Sequence, residues 1–246
     1  MANRHVFAYG EHPSRLIQVW QPDDDAAAPF PMAVLLHGGW WRDAHDLRLM
    51  DGLAAALADS GRLVWNVEYR RTGDDGGGWP QTLEDVQAAL NLLGDRLREG
   101  AEPGDPHRVV GIGHSAGGHL ALLAAAGSPL TGVIGLAPVT DLRAAATAGL
   151  GEGAVADFLG AAPADSTYTE AAPLHRLPIG VPQLIVHGDA DRRVPVEHSR
   201  AYAEAARAAG DPVEYAEIAG ADHFAVVDPQ QQAWRSAGEW LQRAGV

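Results

Sequence analysis

Cysteine is missing from all 246 residues, which excludes disulfides, a thiolate nucleophile and cysteine-held metals, and leaves the redox compartment unmarked. Basic residues are few: 18 Lys+Arg stand against 32 Asp+Glu, a formal net charge of -14. That balance disfavours nucleic acid and anionic membrane as partners, and it eases the approach of a cationic or neutral small molecule over a strongly anionic one. No segment nears 18 continuous apolar residues, and the opening MANRHVFAYGEHPSRL lacks an apolar run of leader length. The expectation is a soluble, cytoplasmic protein. Internal repeats and low-complexity tracts are absent as well, and the histidines show neither H-E-x-x-H nor another close ligand spacing, so no metal site is implied.

What is present is a chain with 46% apolar and 20% charged residues, long enough for one sizeable core. A single domain over residues 1–246 is expected. Short strands at His5 to Tyr9 and Arg15 to Trp20 form an edge hairpin, and Gln21 to Ala28 reads as a surface loop. Uninterrupted or nearly uninterrupted apolar runs at 31–36, 62–69, 108–112, 131–136, 183–186 and 213–218 read as strands, several of them buried on both faces. Helical periods separate them at 47–57, 82–97, 116 onward and 196–209. Thr82 with Asp85 reads as a capping box, and Asp228, Pro229 and Gln231 fit the N-cap, N1 and N3 of a last helix. This order predicts an α/β fold with a mostly parallel central sheet, helices on both faces, and a short loop-and-helix insertion at about 137–180 rather than a large cap. In such a sheet, sites lie at the carboxyl ends of the strands.

One junction of this kind carries chemistry. The strand ending at Ile112 runs into a helix through Gly113-His114-Ser115-Ala116-Gly117, a G-x-S-x-G turn. A turn that tight strains Ser115 and lifts its hydroxyl above the sheet, with glycines where a Cβ would collide with a neighbour. The N–H of Ala116, at the start of the helix, has no intrahelical acceptor and can face developing negative charge. Further on, two acids, Asp189 and Asp191, follow one strand, and His223 follows the last. A serine hydroxyl needs a base, and a carboxylate fixes the tautomer of that base. Asp222, beside His223, reads as a loop cap. His119, one turn beyond Ser115, reads as a packing or hydrogen-bonding residue. The loop after the 31–36 strand, His37-Gly38-Gly39-Trp40-Trp41, lies where a second oxyanion donor is required. His37 is placed to tie it down. Trp40, Trp41 and Trp79, with His114 next to the nucleophile, are expected to line the substrate pocket.

Together, HGGWW at 37–41, GHSAGGHLALL at 113–123, HGDADRRVP at 187–195 and GADHF at 220–224 resemble the α/β-hydrolase superfamily. Within it they look most like the HGGxW-bearing esterases that include the arylformamidases, or kynurenine formamidases. The resemblance implies Ser115 as nucleophile, His223 as base, and Asp191, three residues before Val194-Pro195, as the acid. It implies oxyanion donors from Gly38, Gly39 and Trp40 together with Ala116, and no cofactor. Members act on N-formyl aromatic amines or small esters. The expected function is therefore serine hydrolysis of short acyl groups from aromatic amides or esters. General carboxylesterase, serine peptidase of the same fold, and a non-catalytic binding protein on this scaffold are the alternatives. The sequence leaves monomer and homodimer open.

Overall fold

The computed structural model describes residues 3–22 and 28–246; most of the loop expected at Gln21 to Ala28 lies outside them. The chain runs through β1 (Asn3–Ala8), β2 (Leu16–Gln21), β3 (Phe30–Leu36), α1 (Asp51–Asp59), β4 (Leu63–Val67) and α2 (Gln81–Arg98). It continues with β5 (Gly104–His114), α3 (Ala116–Ala124), β6 (Gly132–Leu136), then α4 (Leu142–Thr147), α5 (Ala154–Leu159) and α6 (Asp165–Ala171). Last come β7 (Gln183–Gly188), α7 (Glu197–Ala208), β8 (Val213–Ile218) and α8 (Gln232–Ala244). The strands form one sheet in the order β1-β2-β4-β3-β5-β6-β7-β8. β1 and β2 pair antiparallel, as does β2 with β4, and every pairing from β4 to β8 is parallel.

Alternation along β3 shows how the sheet is covered. Met32, Val34 and Leu36 enter a cluster with Leu83, Val86 and Leu90 of α2, Leu120 of α3 and Tyr202 of α7. Ala33 and Leu35 face the other way, toward Leu53 and Leu57 of α1 and Trp240 and Leu241 of α8. Both faces of the strand are apolar because both are buried. All the parallel strands thus end at one edge, where the Ser115, Asp191 and His223 segments gather.

Two expected caps are corrected. α2 starts on Pro80 with no side-chain cap. Thr82 Oγ1 instead donates to Arg70 O and accepts from Gly78 N–H, and Asp85, fully buried, takes Arg70 and Arg15. An Arg loop that must cross the helix start outcompetes a local cap. Likewise α8 begins at Gln232, because Asp228 closes a separate turn through Gln230 N–H. The insertion is three short helices. Its third, Asp165–Ala171, had no apolar period to announce it.

Candidate active site

Ser115 sits between β5 and α3 with φ 54° and ψ -115°, the strained conformation that the G-x-S-x-G spacing predicts. Its main chain is bound on both sides: Ser115 N–H donates to Leu136 O at 2.8 Å, and Ser115 O accepts from His119 N–H at 3.0 Å. The flanking glycines have no room for a side chain. A Cβ on Gly113 would lie 2.2 Å from Gly117 O, and one on Gly117 would lie 2.1 Å from Leu36 O.

The loop after β3 is held from beneath. His37, fully buried, directs Nδ1 to Gly38 O at 2.7 Å and Nε2 to Glu68 Oε1 at 2.8 Å. Its ring stacks on that of Tyr69, and Tyr69 Oη–H donates to His37 O at 2.6 Å. Because a trans peptide points its C=O and N–H in opposite directions, the hydrogen bond on Gly38 O turns the Gly39 N–H away from the His37 ring. The same reasoning applies to the Ser115–Ala116 peptide, whose carbonyl points down α3. The Ala116 N–H is therefore directed back off the helix start. Neither N–H is taken up by a turn, a cap or a side chain among the described residues. Gly38 contributes closeness: a Cβ there would stand 3.1 Å from Ser115 Cβ and 2.8 Å from His114 Nδ1.

Asp191, in the loop after β7, accepts from His223 Nδ1 at 2.6 Å and from His187 Nε2 at 3.1 Å. Its other oxygen takes the N–H groups of Arg193 and Val194. Burial alone would raise its pKa, but the hydrogen bonds from His187 and His223 outweigh this and hold the carboxyl well below the usual carboxylate range. With Nδ1–H committed to Asp191, Nε2 of His223 is left as the acceptor a base requires. Asp189 is elsewhere: it accepts Gly220 N–H at 2.6 Å. Asp222 caps its own loop through the N–H groups of Phe224 and Ala225, as the sequence suggested, and His119 hydrogen-bonds to Ala171 O.

Ser115 and His223 line one small cavity of about 30 Å³ together with Gly39, Trp40, His114 and Phe224. Among the described residues no hydrogen bond joins Ser115 Oγ to His223, a contact that commonly tightens only when substrate is bound. Two expected pocket residues are not there. Trp41 is completely buried, stacked on Phe158 at 4.4 Å and edge-on to His119. Trp40 and Trp41 both have positive φ, 54° and 57°, and their rings meet edge to face at 6.0 Å, with Trp40 bordering the cavity and Trp41 in the core. Trp79 is tied to α5 by its N–H to Phe158 O and packs edge-on against that ring. Conversely, Glu68, His187 and Phe224 are site residues that the sequence reading left without a role. A charge closing an otherwise apolar strand was the available signal for Glu68. No group of three or more His, Asp or Glu among the described residues could hold a metal ion.

His114 donates Nε2–H to His223 O at 3.0 Å and so anchors the loop that carries His223. Burial, with the nearby His223, pushes His114 down to about 3, and burial pushes His119 down to about 4. A folded value below the ordinary ~6.5 means that the folded state binds fewer protons in between, so stability is complete above ~6.5 and is lost as pH falls toward the folded values. Urea denaturation is expected to give lower stability at pH 4.5 than at pH 7.5, by up to a few kcal/mol. The loss should shrink in His119→Gln, whose amide can still donate to Ala171 O. Equal stability of the wild type at both pH values would contradict this.

A model of the prolyl oligopeptidase family matches residues 54–244, most of the chain and all three of Ser115, Asp191 and His223. The chain belongs to that family. Among curated relatives of this family member, Esterase LipC of Mycobacterium tuberculosis (strain ATCC 25618 / H37Rv) is 28% identical over 247 residues, covering 90% of this chain and 59% of the relative. The probable carboxylic ester hydrolase LipM of the same organism is 28% identical, covering 88% and 54%. The chain thus spans little more than half the length of these relatives. Among solved structures, an acetyl ester-xyloside bifunctional hydrolase from Caldicellulosiruptor lactoaceticus superposes with a TM-score of 0.82 at 20% identity, covering 98% of this chain and 96% of that one. A bacterial heroin esterase does so with a TM-score of 0.79 at 22% identity, covering 99% and 83%. The fold is the α/β-hydrolase fold. No helix among the described residues is long and apolar enough to cross a membrane.

Proposed function

We propose that this family member is a serine carboxylesterase for short acyl groups. Ser115 Oγ attacks the ester carbonyl, His223 Nε2 takes its proton and returns it to the departing alcohol, and the N–H groups of Gly39 and Ala116 hold the oxyanion. Asp191 keeps His223 in the working tautomer, and water then releases the acid from Ser115 by the same steps in reverse order. The observation that carries the reading is the confined cavity at Ser115. A volume of about 30 Å³ is room for about two water-sized groups, enough for a formyl or acetyl group. A cavity this small favours a short acyl group over an amino-acyl one, which supports the esterase over the peptidase despite the family's name. Two curated relatives named as ester hydrolases support the same choice. The narrower arylformamidase reading stays within this geometry, since formyl is the smallest acyl group and Trp40 flanks the cavity. Binding without catalysis has no support from a missing triad side chain.

The test is kcat/KM on p-nitrophenyl esters of rising chain length beside N-formylkynurenine and an aminoacyl-arylamide. Acetate should be turned over best, with a loss of at least about tenfold by butyrate, since each added methylene must displace packed side chains. Comparable deformylation would select the narrower reading. Octanoate exceeding acetate, or arylamide cleavage without ester turnover, would contradict the proposal.

A further inference from the structure

Beyond the Ser115 cavity the surface opens into two larger hollows. One, of about 450 Å³, runs between Trp40 and the insertion; the other, of about 480 Å³, lies beside His223 and Phe224. Arg193 lines both hollows and the small cavity, and Arg192 lines both hollows. All 18 basic side chains of the sequence are arginines, and most are spent on neighbours: Arg42 on Asp157, Arg70 on Asp85, Arg71 on Asp75. Arg192 and Arg193 differ. Among the described residues neither guanidinium makes a hydrogen bond or an ion pair, and that of Arg193 lies over the Phe224 ring, 5.1 Å from its centroid. Phe224 is itself 45% exposed.

Among the described residues the nearby acids make no ion pair with either guanidinium. Asp191 is turned inward onto two histidines, Asp222 is engaged by backbone N–H groups, and Asp157 is paired with Arg42. Glu152 remains, at the insertion side of the first hollow. At the mouth of the nucleophile's cavity, in a chain of net charge -14, two adjacent guanidinium groups are thus left without an ion-pair partner and free to take an anion. A guanidinium fork matches a carboxylate in shape and charge, and Trp40 offers a ring face between the small cavity and the first hollow.

We propose that the larger, departing portion of the substrate carries a carboxylate, held by Arg193 and Arg192 at the mouth of the Ser115 cavity. The substrate class is then a short-chain acyl ester of a hydroxy acid, aromatic hydroxy acids included. This rests on the ester-hydrolase reading above. It also reverses locally what net charge alone suggests about anionic substrates, because a field at contact distance is set by the nearest charges.

The test compares 4-acetoxybenzoate with 4-acetoxybenzamide, each kcat/KM divided by that ester's rate with hydroxide to remove leaving-group reactivity. The corrected ratio should favour the carboxylate by about fivefold to tenfold at low salt and fall toward one in 0.5 M NaCl. It should drop to about one in Arg192→Gln/Arg193→Gln and be kept in large part in Arg192→Lys/Arg193→Lys. A ratio of one or less in the wild type, or a ratio untouched in the glutamine variant, overturns the carboxylate site while leaving the esterase standing. Absence of turnover of either ester overturns the esterase reading, and this one with it.

Discussion

Replacing Ser115 with alanine is expected to lower kcat on a short-chain aryl ester by about 10⁴-fold or more, with the fold unchanged. The second half of that expectation comes from where the residue's structural bonds lie. Its N–H to Leu136 O and its C=O from His119 N–H are main-chain bonds, which alanine keeps, and only the hydroxyl is lost. Steady-state kinetics with thermal unfolding checks both halves. A Ser115→Ala protein that keeps more than a few per cent of wild-type kcat would rule out the covalent route.

Asp191→Asn should cost nearly as much, up to ~10⁴ in kcat. The carboxylate accepts His223 Nδ1–H at 2.6 Å. An asparagine amide in its place can donate to Nδ1 instead, which moves the ring proton to Nε2 and removes the acceptor that Ser115 requires. Asp189→Asn should stay within about threefold of wild type, because Asp189 only accepts Gly220 N–H, a bond that an asparagine oxygen also makes. Near-normal activity of Asp191→Asn beside a crippled Asp189→Asn would reverse the assignment.

Where the sequence is readable, a local steric rule speaks. Glycines at 113 and 117 and the serine between them specify a turn with no slack, and the structure has φ 54° there. The parallel sheet is equally legible, since strands buried on both faces lose their alternation. Trp41 was not legible: two adjacent tryptophans after two glycines give no sign of which enters the core, and only the folded chain brings Phe158 and His119 against Trp41. Thr82 and Asp85 carry the letters of a capping box yet serve Arg70 and Arg15, partners 12 or more residues away in sequence and visible only once the chain has folded. His187, the second donor to Asp191, lies four residues before it in an apolar strand. Nothing in its local pattern distinguishes it from a core residue.

The arginine pair is the converse case. Net charge is a sum over the whole surface and predicts repulsion of anions, whereas Arg192 and Arg193 act within a Debye length of the Ser115 cavity. Composition could bound the partner class of the surface as a whole. It could not describe the mouth of one pocket.

The central claim is that Ser115 is an activated nucleophile, and covalent labelling tests it most directly. Treating the protein with a fluorophosphonate and mapping the adduct by tandem mass spectrometry should give one modification per chain, on Ser115, with ester hydrolysis lost in proportion to labelling. Modification at another residue with loss of activity, or full activity after complete labelling of Ser115, would contradict the account.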